Sequence, residues 1–383
     1  MKKLGLIINP IAGMGGSVGL KGTDHMVETA LLRGAVPRAG DRTQTALTEL
    51  LPIKEHLEIL TYPGAMGGDL AQSMGFTTTL LTRPEPEVLS DDMAAYPDRW
   101  MRSTESDTVS LAEQLKSEQT DLILFAGGDG TARDIYRALG IGTAALGIPA
   151  GVKIHSPVYA KNPKSAGALA LLWLTGKINK TKDEEVLDID EDLYRQEIIN
   201  SRLYGYLSVP IEKALLQNRK APTPLSDIAA IESIAHEVIE EMEPDVYYLI
   251  GAGTTTRGIM YLLNLENTLI GVDLIYNRQL IAADLYGAEI LKYIKGKRTK
   301  LIVTVTGGQG YLFGRGNQQL TPEVIKEVGK ENIVILATKT KISELHGQAM
   351  LVDTFDEELN RYLCGYYRTI TAYREFTVCR VSQ

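Results

Sequence analysis

The chain has little of what marks a cross-linked, metal-built or membrane protein. Its 383 residues include only two cysteines, Cys364 and Cys379. That excludes a disulfide scaffold and a Cys-based zinc module, and two reduced core thiols in a cytoplasmic protein are expected. The five histidines (His25, His56, His155, His236 and His346) show no His-x-His or His-Glu-x-x-His spacing, which argues against a catalytic zinc site. No stretch approaches 18 consecutive apolar residues, so no membrane span is expected. The start Met1-Lys2-Lys3 is basic like a signal peptide, but the apolar run after it stops at Asn9-Pro10 and reads as a buried strand. Positive charge is in deficit. Lys plus Arg number 40 and Asp plus Glu 48, a net charge of −8, which suits neither nucleic acid nor an anionic membrane. The chain has no Walker A loop, which removes P-loop NTPases.

Glycine is in excess, and it is unevenly placed. Of the 36 glycines, 19 lie in residues 1–151, three (Gly167, Gly176, Gly205) in 152–250, and 14 in 251–383. The outer thirds alternate apolar runs, glycine loops and helical patterns. Leu4–Ile8, Leu57–Thr61, Phe76–Leu81, Asp121–Ala126 and Ala144–Ile148 read as strands, with helices over Asp107–Glu118 and Ala132–Leu139. Residues 82–106, rich in proline and charge, read as a surface excursion. Val246–Ile250, Thr268–Ile275, Lys300–Thr306 and Asn332–Ala337 are the later strands. The middle opens with a helix over Ser165–Thr175. Strands over Glu184–Asp190, Leu193–Asn200 and Arg202–Val209 follow, then an amphipathic helix over Thr223–Glu241. An α/β fold is expected, with a doubly wound N-terminal domain over 1–160, a small β-rich and helical segment over 161–244, and a C-terminal α/β portion over 245–383.

Gly127-Gly128-Asp129-Gly130-Thr131 sits where a buried strand ends and a helix begins. Glycines there let phosphate approach the backbone, and a helix start supplies N–H groups and a positive dipole. An Asp in such a loop could ligate Mg²⁺ or take a proton from an attacking hydroxyl, or it could simply cap the helix. Gly251-Ala252-Gly253-Thr254-Thr255-Thr256-Arg257 and Gly307-Gly308-Gln309-Gly310 repeat the setting, as anion loops or as capped turns. Gly13–Gly19 reads as an open glycine loop over a triphosphate or as a plain connector. Lys153 is a candidate to neutralise a transferring phosphoryl group, or a surface salt-bridge lysine. Arg133, Asp134, His155 and, as a weaker carboxylate for metal at the end of a strand, Asp273 complete the candidates.

Leu124-Phe125-Ala126-Gly127-Gly128-Asp129-Gly130-Thr131 resembles the signature of the NAD kinase, diacylglycerol kinase and sphingosine kinase superfamily. Ile8-Asn9-Pro10-Ile11-Ala12-Gly13 resembles its Asn-Pro-x-x-Gly element. Gly147–Lys153, Asn200–Gly205, Gly251–Arg257, Gly307–Gly310 and Gly314–Gln319 are similar to the ATP-NAD kinase-like group that includes the AcoX proteins. The resemblance implies phosphoryl transfer from Mg²⁺-ATP to a hydroxyl, with NAD as the default acceptor and NADP as product. It implies that Asp129 binds and activates the acceptor and that Asn9 and Gly13 lie near the donor nucleotide. It also implies a homo-oligomer and an active site in the cleft between the two outer domains. NAD kinases hold the dinucleotide with an Asn-Glu or Asn-Asp pair, and this chain contains neither dipeptide. Two other readings stay open. One is a kinase for a polyol, sugar or acetoin-related metabolite, and the other is a nucleotide-binding protein without turnover.

Overall fold

Leu4–Ile8 and Leu122–Ala126 are apolar without alternation, as strands covered on both faces must be. A computed structural model describes residues 1–20, 26–84, 103–151, 154–189, 201–212, 215–216 and 227–383. In it these runs lie side by side. The N-terminal elements are β1 (Lys2–Ile8), α1 (Val27–Leu32), α2 (Ala39–Thr48), β2 (Leu57–Thr61), α3 (Gly68–Ser73), β3 (Thr77–Leu80), α4 (Glu105–Ser117), β4 (Leu122–Gly127), α5 (Asp129–Leu139), β5 (Ala145–Pro149) and α6 (Pro163–Leu174). The sheet is wholly parallel in the order β3-β2-β1-β4-β5. After β1 the chain builds outward through β2 and β3, then returns to place β4 on the other side of β1. The β1/β4 boundary is therefore the switch point, where an open parallel sheet leaves a crevice at its carboxyl edge.

Local chemistry sets the element ends. Helix α4 starts at Glu105, two residues before the expected position, because Thr104 and Asp107 form a capping box. Helix α5 starts at Asp129, three residues earlier than expected, with Gly128 as its N-cap. Helices α2 and α6 pack closely. A Cβ on Gly167 would lie 2.1 Å from the Ala46 carbonyl oxygen, so no other residue fits there without a shift.

Strands β6 (Thr181–Ile189) and β7 (Ser201–Pro210) form a long antiparallel pair. The expected strand Leu193–Asn200 lies outside the described residues, as do most of 82–106 and the start of the helix expected from Thr223. Residues 161–244 share no core of their own among the described residues. Val186, Leu207 and Val209 join the N-terminal core along with Ala166 and Leu169 of α6. Helix α7 (Ile228–Glu240) instead sends Ile234, Ala235 and Val238 into a core with Ile250, Ile259 and Ile302.

The C-terminal part adds β8 (Tyr247–Ile250), α8 (Thr254–Leu262), β9 (Asp273–Tyr276), β10 (Gln279–Ala282), α9 (Gly287–Ile294), β11 (Thr299–Thr304), β12 (Tyr311–Phe313), α10 (Pro322–Val328), β13 (Ile333–Leu336), α11 (Lys339–Glu344), β14 (Met350–Val352), α12 (Glu357–Leu363), β15 (Gly365–Ala372) and β16 (Glu375–Ser382). They form a nine-stranded sheet in the order β10-β9-β8-β11-β13-β15-β16-β14-β12. Its central strands β8, β11, β13 and β15 are parallel, and antiparallel β9 and β16 flank them. Cys379 is buried and Cys364 half-buried, and both are free thiols.

Candidate functional site

Three loops meet at the switch point, and they touch through backbone. The Asn9 N–H donates to the Ala126 carbonyl (3.0 Å), and the Asn9 Nδ2 donates to the Thr131 Oγ1 (3.0 Å). The ends of β1 and β4 are thus tied across the crevice. Gly13 has φ +77°, and a Cβ there would lie 2.0 Å from the Ala150 carbonyl oxygen. A Cβ on Gly151 would lie 2.5 Å from the Gly128 Cα, and one on Gly127 would lie 2.4 Å from the Thr131 side chain. The N–H groups of Ala150 and Gly151 both donate to the Gly127 carbonyl. Gly130 faces open space. These glycines therefore serve close backbone approach first.

Asp129 is buried at the first turn of α5. Its Oδ1 accepts from the Ser156 N–H (3.1 Å). Its Oδ2 accepts from the His155 N–H (2.7 Å) and faces the His155 Nδ1 at 3.1 Å. Three of the roughly four acceptor positions of a carboxylate are thereby taken. The remaining position is on Oδ1, which takes one donor where Oδ2 faces two nitrogens. Among the described residues no group of three His, Cys, Asp or Glu side chains could hold a metal ion. The start of α5 carries no side-chain cap, so its first N–H groups and positive end remain for an anion. Tyr159 closes the floor of the site. Its hydroxyl donates to the Gly128 carbonyl (2.5 Å), and burial pushes its pKa well up, so it stays a donor.

The glycine loop over 13–19 is not open. Met14 and Val18 are buried in a small cluster with Leu20, Ala30 and Ala35. Gly16 lies against the Gln318 side chain, which a Cβ would overlap. Gly16 and Gly19 pack tightly against Gln318 and Tyr286 of the C-terminal part, and Gly13 against Ala150.

The other candidates divide. Arg133 leaves the crevice to pair with Asp188 on β6 (3.0 Å). Asp273 opens β9 rather than ending a strand. It accepts from the Thr268 N–H and Oγ1 and from the Asp284 N–H, and burial raises its pKa, so it closes a turn. In the loop Gly251–Thr256, Thr256 donates back to the Gly251 and Gly253 carbonyls, as a capped turn does. Thr254 begins α8, and Arg257 points to solvent. Thr255 accepts from the Nζ of Lys341 (3.0 Å), which also reaches the Thr304 Oγ1 and the Val305 carbonyl. Lys341 is buried and nothing in its sequence neighbourhood singles it out. Gly307 and Gly308 begin the loop after β11, and the Gln309 Nε2 donates to the Ile154 carbonyl (2.6 Å). That C-terminal loop is seated on the segment that holds His155 against Asp129. Lys153 lies outside the described residues, as does His25.

A cleft of about 550 Å³ opens between α2, the start of α6 and the end of β14. Arg38, Arg42, Lys164, Asp353, Phe355 and Arg361 are among its lining, and it contains none of the expected site residues. No helix among the described residues is long and apolar enough to cross a membrane.

A parallel sheet with a glycine-framed carboxylate and an uncapped helix start at its switch point is built to receive nucleotide phosphates. It belongs to the class of α/β nucleotide-binding phosphotransferases. Residues 4–178 match the ATP-NAD kinase N-terminal domain and residues 243–381 the ATP-NAD kinase C-terminal domain. The chain belongs to the ATP-NAD kinase family. A comparison with curated proteins gave no match.

Proposed function

We propose that the protein transfers the terminal phosphoryl group of ATP to a hydroxyl of a small acceptor, with NAD as the first acceptor to test and NADP as its product. The observation that carries this reading is Asp129, held by three N–H donors beside the uncapped start of α5. Negative charge on the donor would lie toward the helix start, and the acceptor proton would move toward the carboxylate. The described residues offer no protein-built metal site, so Mg²⁺ would enter with the triphosphate. The second reading keeps the chemistry and changes the acceptor to a sugar, a polyol or an acetoin-related metabolite. The lack of any Asn-Glu or Asn-Asp pair favours it. A cytoplasmic homo-oligomer of the AcoX type accompanies either reading.

The test is to incubate the protein with Mg²⁺-ATP and a panel of NAD, sugars and polyols. NADP formation supports the first reading, and turnover of a sugar or polyol without NADP moves the acceptor. Calorimetric binding of ATP with no phosphorylated product from any acceptor would leave a binding protein and overturn both.

A further inference from the structure

The cleft between α2, the start of α6 and the end of β14 has no part in the reading above. Its volume of about 550 Å³ lies in the range of small-molecule sites, and both family domains line it. None of the loop residues around Asp129 reaches it. Arg42 and Asp353 close it from below, with the Arg42 guanidinium spent on the Asp353 carboxylate and the Pro149 carbonyl. Phe355 forms part of the wall. Its φ of +65° is a left-handed backbone that a bulky side chain rarely adopts, and its ring centre lies 4.7 Å from the Arg42 guanidinium carbon.

The lining is set up to donate. The Asn162 Oδ1 accepts from the Ser165 N–H, and the Asn360 Oδ1 accepts from the Thr354 N–H and hydroxyl. Each amide is thereby oriented, and its Nδ2 remains as a donor. The first turns of α2 and α6 also reach the cleft and bring their positive ends. The charges lean the same way, although the whole chain carries −8. Arg38, Arg42, Lys164 and Arg361 line the cleft against Asp41, Asp353 and Glu357. Arg315 lies 3.9 Å from the Asp353 Oδ2, so two buried guanidiniums share one carboxylate. The Arg315 Nε is buried with no hydrogen-bond partner among the described residues. Cations therefore exceed acids by two, and a terminal carboxylate at Gln383, which also lines the cleft, would still leave one in excess. A concave site with an unmatched buried donor and surplus positive charge calls for an anion.

We propose that this cleft is a second ligand site, for a compact polyanion: a phosphate ester or a small polycarboxylate. Both present the same chemistry, oxygens that accept from cations and from N–H groups. Lys164 of the N-terminal domain and Arg361 of the C-terminal domain are its cationic contacts, and Asn162 and Asn360 supply amide donors. Lys164 and Arg361 are exposed, and among the described residues neither is held in an ion pair. The Arg42–Asp353 pair is the fixed floor rather than a ligand contact. The site stands whether or not the crevice at Asp129 transfers phosphate.

Calorimetry of the full chain with pyrophosphate and with citrate, at a fixed ionic strength of about 0.1 M, tests this. At least one probe should bind with a Kd below about 1 mM. The double variant Lys164→Ala/Arg361→Ala removes two exposed side chains. It should weaken that probe about tenfold or more, or remove one of its sites if the crevice takes the same anion. Lys292→Ala/Lys295→Ala takes the same charge from the exposed end of α9 and should leave the isotherm unchanged. A loss with pyrophosphate alone assigns the cleft to phosphate compounds, and a loss with citrate alone assigns it to carboxylates. Failure of both probes to bind the wild type, an unchanged isotherm in Lys164→Ala/Arg361→Ala, or an equal loss in both double variants overturns the site. None of these results bears on the transfer reading, which the acceptor panel tests by itself.

Discussion

Gly13 and Gly130 make opposite demands although both belong to the signature motifs. Gly13 combines φ +77° with a carbonyl oxygen 2.0 Å from its absent Cβ. Gly13→Ala must therefore part the first loop from Ala150, and overpacking together with the left-handed backbone gives a loss of about 2–4 kcal/mol. Gly130 has nothing within 4 Å and lies in the first turn of α5. Gly130→Ala should hold or raise stability by up to about 1 kcal/mol, so a fall in activity there reports on ligand approach alone. Urea unfolding of the two variants checks this, and equal losses would show that the loops do not pack as described. At this scale the sequence was readable where the motif is contiguous, as for the glycine turn that leads from β4 into α5. It was silent where a partner is remote. Lys341 meets Thr255 across 86 positions, and Arg42 meets Asp353 across 311. No local pattern encodes such meetings.

Helix α2 is joined to the C-terminal sheet by one buried ion pair. The Arg42 guanidinium reaches the two Asp353 oxygens at 3.0 and 2.5 Å and also donates to the Pro149 carbonyl. Burial alone would raise the Asp353 pKa, but Arg42, with Arg315 nearby, holds it below the usual carboxylate range. A pKa lowered by folding contributes stability that is complete above the unfolded value, about 3.9, and is lost as pH falls through the still lower folded value. Acid titration of stability should therefore show this contribution fading below about pH 4, and Asp353→Asn should flatten that limb. Asp353→Ala strands a buried guanidinium and should cost about 3–5 kcal/mol. A loss under 1 kcal/mol would mean that water reaches the pair. Elements were legible in proportion to their burial. Strands β1, β4, β8, β11 and β13 announce themselves by apolar runs, whereas most of β16 faces solvent and β12 and β14 span three residues each. Helix α2 buries Ala39, Arg42, Thr43, Ala46 and Leu47, of which only Leu47 is large and apolar, too little to give an apolar stripe.

Across the whole molecule, the two family domains meet at the candidate loops as well as through the Arg42–Asp353 pair. Gln309 binds Ile154, the Tyr311 hydroxyl and the Arg315 guanidinium bind the Lys161 carbonyl, and Gly16 packs on Gln318. The glycines of the outer thirds frame some of these contacts and also the start of α5, so under the proposed function ligand binding and domain attachment would draw on the same segments. A nucleotide held at the α5 start should then stabilise both halves together. At a hundredfold excess over Kd, ligand linkage supplies about 2.7 kcal/mol to whatever unfolds with the site. Hydrogen exchange separates the alternatives, because β4 reports the N-terminal sheet and β11 the C-terminal one. With ATP bound, amides of both strands should slow by a similar factor. Slowing confined to β4 would show that the C-terminal sheet opens independently of the site, and the seating of Gln309 on Ile154 would then carry no coupling. If both strands slow in the wild type and Gln309→Ala restricts the effect to β4, the loop after β11 is the link that makes the two domains one binding unit.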